Sequence, residues 1–207
     1  MTVFDHDAFM REWRGRRLPD GAKISQAEYD LVLAAIEGRW QQDAAKAGEP
    51  VWMTIARKLI GQREIPGPKH NSWIASSWGR LGATWFNDDE TPWCGLFAAH
   101  CLDAAGLAIP KPSLFPRAKA WLDWGKPCAP APGAIAVFGR DGGGHVGFLA
   151  GEGSGNYYVL GGNQSNAVSI APIARNRALG YRWPASLPAP SATLPSMSGG
   201  TISRNEA

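Results

Sequence analysis

Apolar residues along this chain recur in two rhythms, and the change between them divides it. Up to about Gly106 they return at helical spacing; from Ala134 to Trp183 they come in short runs cut by glycine. Residues 1–47 predict two helices broken at Leu18-Pro19-Asp20-Gly21. The second opens on Ser25 as cap, with Glu28 as its capping-box partner and Ile24 and Tyr29 as a staple. Leu31, Val32, Ala35, Ile36 and Trp40 then form its apolar face. Gly48-Glu49-Pro50 marks a boundary. Past it, Val51, Ile55 and Leu59 predict a helix ending near Gly61, Trp73–Leu81 a short one, and Thr91 to Gly106 a third.

The second rhythm predicts five strands: Ala134–Phe138, His145–Ala150, Tyr157–Asn163, Ala167–Ala171 and Leu179–Trp183. Glycine-rich or Asn/Ser turns separate them, as in an antiparallel meander. Helices followed by strands make an α+β layout. The expected organisation is an N-terminal helical segment (1–47), one domain (51–184) and a tail (185–207). That tail is rich in Ser, Pro, Ala and Gly and is expected to be disordered or a linker.

Composition narrows the classes. A hydrophobic share of 44% and a charged share of 19% allow a sizeable core. A net charge of +3 is too weak for a dedicated nucleic-acid binder but suits an anionic wall. Arg11, Arg14, Arg16 and Arg17 crowd the first helix, as a solvated face or a wall-binding patch. No run approaches the ~18 apolar residues of a membrane span, so no stable membrane insertion is expected. The N-terminus lacks a signal peptide's apolar stretch, so synthesis and folding in a cytoplasm are expected, with release by a separate holin. A monomer is expected.

Three cysteines, Cys94, Cys101 and Cys128, form no CxxC pair, and the histidines lack zinc-ligand spacing. Asp88-Asp89-Glu90 lacks the spaced ligands of a calcium loop. Neither metal nor cofactor is expected. Cys94 differs from the other thiols in its place: Thr91 can cap, Pro92 fits the first helical position, and Cys94 falls in the first turn. There the helix dipole and unpaired N–H groups lower a thiol's pKa. The competing reading is a small buried hydrophobe on the stripe Cys94, Phe97, Ala98, Cys101, Ala105.

A thiolate nucleophile needs a base, and the base an orienting partner. His145 opens a strand directly after Gly142-Gly143-Gly144. Centring the next hairpin on Ser154 pairs Leu149 with Val159 and His145 with Asn163, on one face of the sheet. Asn163 would then orient His145, while Gln164 points to the opposite face. Trp93, Glu64 and Asn71 are the expected substrate-contacting set; core packing for Trp93 and helix capping for Glu64 and Asn71 are the alternatives.

These residues resemble the papain-like peptidoglycan hydrolases of the CHAP and NlpC type, in a phage-associated, endolysin-like branch. The shared motifs are Pro92-Trp93-Cys94, Gly142-Gly143-Gly144-His145-Val146-Gly147 and Gly161-Gly162-Asn163-Gln164, within roughly 51–184. The resemblance implies a nucleophile helix packed on an antiparallel sheet and cleavage of amide bonds in cell-wall peptides. It assigns Cys94 as nucleophile, His145 as general base then acid, and Asn163 as the residue orienting His145. Many relatives carry Glu, Asp or His in that third role. Other readings are a secreted antibacterial amidase effector and a non-catalytic wall-binding or virion structural module.

Overall fold

The computed structural model describes residues 49–203, which lie within one unit of the chain, 43–207. The N-terminal helices and the arginine-rich face expected over 1–47 lie outside the described residues. Six antiparallel strands form one sheet: β1 (Lys126–Pro127), β2 (Ile135–Arg140), β3 (Gly143–Gly153), β4 (Asn156–Gly161), β5 (Ser169–Ala174) and β6 (Ala178–Trp183). The order across it is β1-β6-β2-β3-β4-β5. Strands β2 to β5 are the expected meander. The last strand is not its continuation, because β6 returns to pair with β2 and with the short β1.

That return dictates the shape of the sheet. A single 3-10 turn, Arg175–Arg177, links β5 to β6 and can span about 14 Å. In a flat sheet the two strands would stand about 19 Å apart. The sheet therefore curls, beyond its ordinary twist. Tyr157 on β4 and Tyr181 on β6 meet across the curl, the Tyr181 hydroxyl donating to that of Tyr157 at 3.0 Å.

Among the described residues there are three α-helices: α1 (Val51–Lys58), α2 (Ser72–Arg80) and α3 (Cys94–Asp103). Helix α3 lies in the middle, against β3 and β4 on one side and against α1 and α2 elsewhere. Its sequence CGLFAAHCLD is apolar nearly all round, and every residue except His100 and Asp103 is buried. Such a helix belongs inside a core rather than on its surface. Phe97 on α3 packs against Phe148 on β3, ring centroids 5.8 Å apart. Trp52 on α1 packs edge-on to Trp183 on β6, its indole N–H donating to the Gly133 carbonyl. No helix among the described residues is long and apolar enough to cross a membrane.

The tail corrects the expectation of disorder over its described part, 185–203. Strand β3 outruns its partner β2: the pairing ends at Ile135 and Phe148, leaving the backbone groups of Glu152 open on that side. The tail takes them, with Glu152 N–H donating to Pro195 O (2.9 Å) and Met197 N–H to Glu152 O (2.7 Å). Met197 lies where a side chain at Gly151 or Gly153 would be. Tyr158 then donates to Gly199 O, and Ser203 N–H to Pro172 O. Composition shows missing apolar bulk; an unfilled strand edge shows only in three dimensions.

Candidate active site

The turn that leads into Cys94 is built by an aspartate. One oxygen of Asp88 accepts from the N–H of Glu90 and of Thr91 (2.6 Å), and the other from the Thr91 hydroxyl. Thr91 is therefore spent on the preceding turn, and the expected Thr91 cap is replaced by Trp93, which has no capping side chain. Cys94 becomes the first helical residue, not the third. Gly95 follows because any side chain there would strike the Phe115 carbonyl, 1.9 Å from an added Cβ.

Cys94 is 3% exposed. Burial pushes its thiol above the ordinary range, which corrects the expectation of a depressed pKa. The forces expected at a helix start are present but smaller. Hydrogen bonds from the N–H groups of Val146 and Gly95, the charge of Arg140, and Cys94's own N–H all favour the thiolate. The influence of the Val146 N–H fits the packing of α3 on β3, where Val146 follows His145. Cys101 is fully buried and half-buried Cys128 lies near Arg182; burial raises both thiols.

His145 is fully buried on β3, and its Nε2 meets Gln164 Oε1 at 3.2 Å. The Gln164 amide has one possible orientation. Its Nε2 donates to the carbonyls of Val159 (3.2 Å) and Ser169 (2.6 Å), so its oxygen faces the ring. An oxygen there can only accept, so neutral His145 carries its proton on Nε2 and its lone pair on Nδ1.

Gln164, not Asn163, is thus the residue that orients His145. The pairings Leu149 with Val159 and Phe148 with Leu160 agree with the hairpin register read from sequence. What fails is the length of the strand. β4 stops at Gly161, and Asn163, Ser165 and Asn166 all adopt left-handed φ near +55° to +60°. The chain reverses there, closed by Gln164 N–H to Ala167 O, and the reversal brings Gln164 back beneath the ring. Asn163 is buried, and its Oδ1 has no hydrogen-bond partner among the described residues. Both glycines of the motif make room: an added Cβ would sit 2.9 Å from His145 Nε2 at Gly161 and 2.5 Å from Phe97 Cβ at Gly162.

The expected substrate-contacting set divides. Trp93 is wholly buried, edge-on to Trp73, and its indole N–H donates to Glu64 (2.9 Å). It is a wall of the core, not of a groove. Asn71 caps α2, accepting from the N–H of Trp73 and Ile74, while its amide donates to Gln62 and Arg63. Glu64 and Asn71 are both half-exposed, and Glu64 lines a cavity of about 520 Å³ with Arg63, Ile65, Glu90, Ser165 and Asn166. Burial raises its carboxyl pKa, the Trp93 hydrogen bond opposes this, and the neighbouring acids add to the rise.

Sequence reasoning passed over Arg140, placed Gln164 on the opposite face from His145, and weighed Asp89 only as part of a calcium loop. Asp89 is buried and accepts from the N–H of Ile65 and Asn71 (2.8 Å each) and from the His70 ring (2.9 Å). Burial would raise its pKa, yet these hydrogen bonds outweigh burial and hold it below the ordinary carboxylate value. A buried anchor of this kind leaves no periodic trace in sequence; adjacent acids in a turn are its only sign. His100, on α3, is bonded to Arg80 and edge-on to Trp73; burial and the Arg80 charge pull its pKa down to about 4. It plays no part in the Cys94 constellation. No protein-family model matches this chain, and no curated protein does either.

Proposed function

We propose that this chain is a cysteine-dependent peptidoglycan hydrolase, an amidase or endopeptidase cutting cell-wall stem peptides, with a papain-like pairing of nucleophile helix and antiparallel sheet. The observation that carries the reading is a juxtaposition: the Cys94 thiol lies near enough to β3 to feel the backbone N–H of Val146, the residue after His145, and the His145 ring meets Gln164 Oε1 at 3.2 Å. The Pro-Trp-Cys, Gly-rich-His-Val-Gly and Gly-Gly-Asn-Gln motifs, with their resemblance to phage wall-lytic enzymes, supply the substrate class. By that resemblance the enzyme acts on the wall after release from the cell that makes it.

His145 takes the Cys94 proton on Nδ1, giving a thiolate–imidazolium pair. Its buried thiol is a poor acid alone, so the proton moves when base and substrate carbonyl are both in place. The thiolate adds to the carbonyl carbon, and N–H groups at the start of α3 receive the oxyanion. The imidazolium then protonates the leaving amine, the C–N bond breaks, and a thioester remains. Water, deprotonated by the same nitrogen, hydrolyses it and restores the thiol. Gln164 keeps the ring's tautomer fixed throughout.

One observation favours a non-catalytic wall-binding module instead: Cys94 and His145 are both closed from solvent. Zymography on purified cell walls separates the readings. A hydrolase clears the wall and loses this in Cys94→Ala; a binder clears nothing in either form.

A further inference from the structure

The hairpin that carries His145 also carries a cation with no carboxylate partner among the described residues. Arg140 ends β2 directly opposite Gly143, as Phe138 stands opposite His145. Opposed residues share a face, and positions 143 and 145 share one too, so Arg140 projects on the His145 side of the sheet. Gly143 leaves that face bare, and the guanidinium lies over it, Nε, Nη2 and Cζ falling 3.4–3.9 Å from an added Cβ. Its Nε is buried without a hydrogen bond, and no carboxylate pairs with Arg140 among the described residues. Its charge nevertheless reaches Cys94. A half-buried guanidinium on the face that carries His145, with its Nε unsatisfied, is suited to an anion.

We propose that Arg140 forms a carboxylate subsite next to Cys94, holding a free carboxylate of the peptide that is cut. This rests on the hydrolase reading and narrows it. Stem peptides carry free carboxylates beside their amide bonds, and a guanidinium fork takes a carboxylate through two parallel hydrogen bonds. Peptides with that group free are then preferred over peptides with it amidated.

Alkylation of Cys94 by iodoacetate and iodoacetamide tests the subsite without any cell wall, since the reagents differ mainly in charge. In the intact protein the iodoacetate-to-iodoacetamide rate ratio should exceed that of free cysteine about tenfold. Arg140→Gln should return the ratio to the free-cysteine value while iodoacetamide still reacts, which also shows the variant to be folded. Arg140→Lys should keep part of the preference. A wild-type ratio equal to that of free cysteine overturns the proposal. So does an equal slowing of both reagents in Arg140→Gln, because Arg140 then serves only the thiolate. With stem peptides, the free-acid preference should vanish in Arg140→Gln through KM. If alkylation shows the preference but no peptide is cut, the hydrolase reading fails and the anion site stands.

Discussion

Two histidines among the described residues face a side-chain oxygen, and the oxygens differ. His70 sits in an exposed loop, its Nδ1 2.9 Å from the buried carboxylate of Asp89. His145 sits wholly inside, its Nε2 3.2 Å from the neutral amide of Gln164. The carboxylate raises the pKa of His70, chiefly through that hydrogen bond, and so favours a charged ring. Such a ring is a clamp: it ties 62–71 to 87–91, and Asp89 does so further through two backbone N–H groups. An amide fixes a ring's orientation without adding charge, and leaves a lone pair on the far nitrogen. A base needs that arrangement; a clamp does not.

The strongest break of this comparison is at the sulfur. Cys94→Ala should leave a folded protein with wall-clearing activity reduced by a thousandfold or more, on the order seen when a nucleophile is removed. Cys101→Ala and Cys128→Ala should keep most of it. Gel zymography with circular dichroism of each variant is sufficient, and clearing by Cys94→Ala would end the cysteine mechanism.

Next comes the amide. Gln164→Ala should lower kcat by about a hundredfold, the usual size for a partner that holds the base, whereas Asn163→Ala should change it several-fold at most. Equal effects would mean that both side chains merely pack. Gln164→Glu converts one histidine's setting into the other's, with a carboxylate at Nε2. The imidazole pKa should rise, moving the acidic limb of the pH–rate profile upward by about one unit or more.

The clamp should answer in stability rather than rate. Asp89→Ala strands the N–H groups of Ile65 and Asn71 and should cost about 2–4 kcal/mol, read as a lower urea midpoint at unchanged slope. The smallest effect is the pH dependence of that clamp. Because His70 titrates above its ordinary 6.5, its contribution is complete below that pH and fades as pH rises through the raised value. Asp89 titrates below its ordinary 3.8, so its contribution is present above that pH and is lost as pH falls through the lowered value. The clamp is complete between those limits, and His70→Gln should flatten stability on the alkaline side alone. A stability profile unchanged by that substitution would show that His70 contributes nothing.

Short-range signals were legible in the sequence. Each expected strand overlaps an observed one, and the three helices of the domain fall where the apolar spacing places them. The hairpin register at Leu149 and Val159 followed from turn position alone. Cys94 at a helix start and His145 on the second strand were readable because caps, glycines and alternation act over a few residues. Gln164 was within a recognised motif, but its role depended on where β4 stops. Three left-handed residues decide that, and Asn and Ser, unlike glycine, do not announce such backbone.

By itself, the sequence determined the α+β order of elements, the separation of Cys94 from the other thiols, and the meander from β2 to β5. Tertiary structure alone decided four things. The sheet curls because β5 and β6 are joined by one short turn. The tail from Pro195 docks because β3 overhangs β2. Burial outweighs the helix start at the Cys94 thiol. Gln164 displaces Asn163 at His145. Each depends on which distant segments exclude water from a group or leave its hydrogen bonds open. Those quantities are sums over neighbours far apart in the chain, while caps and periodicity are properties of neighbours along it.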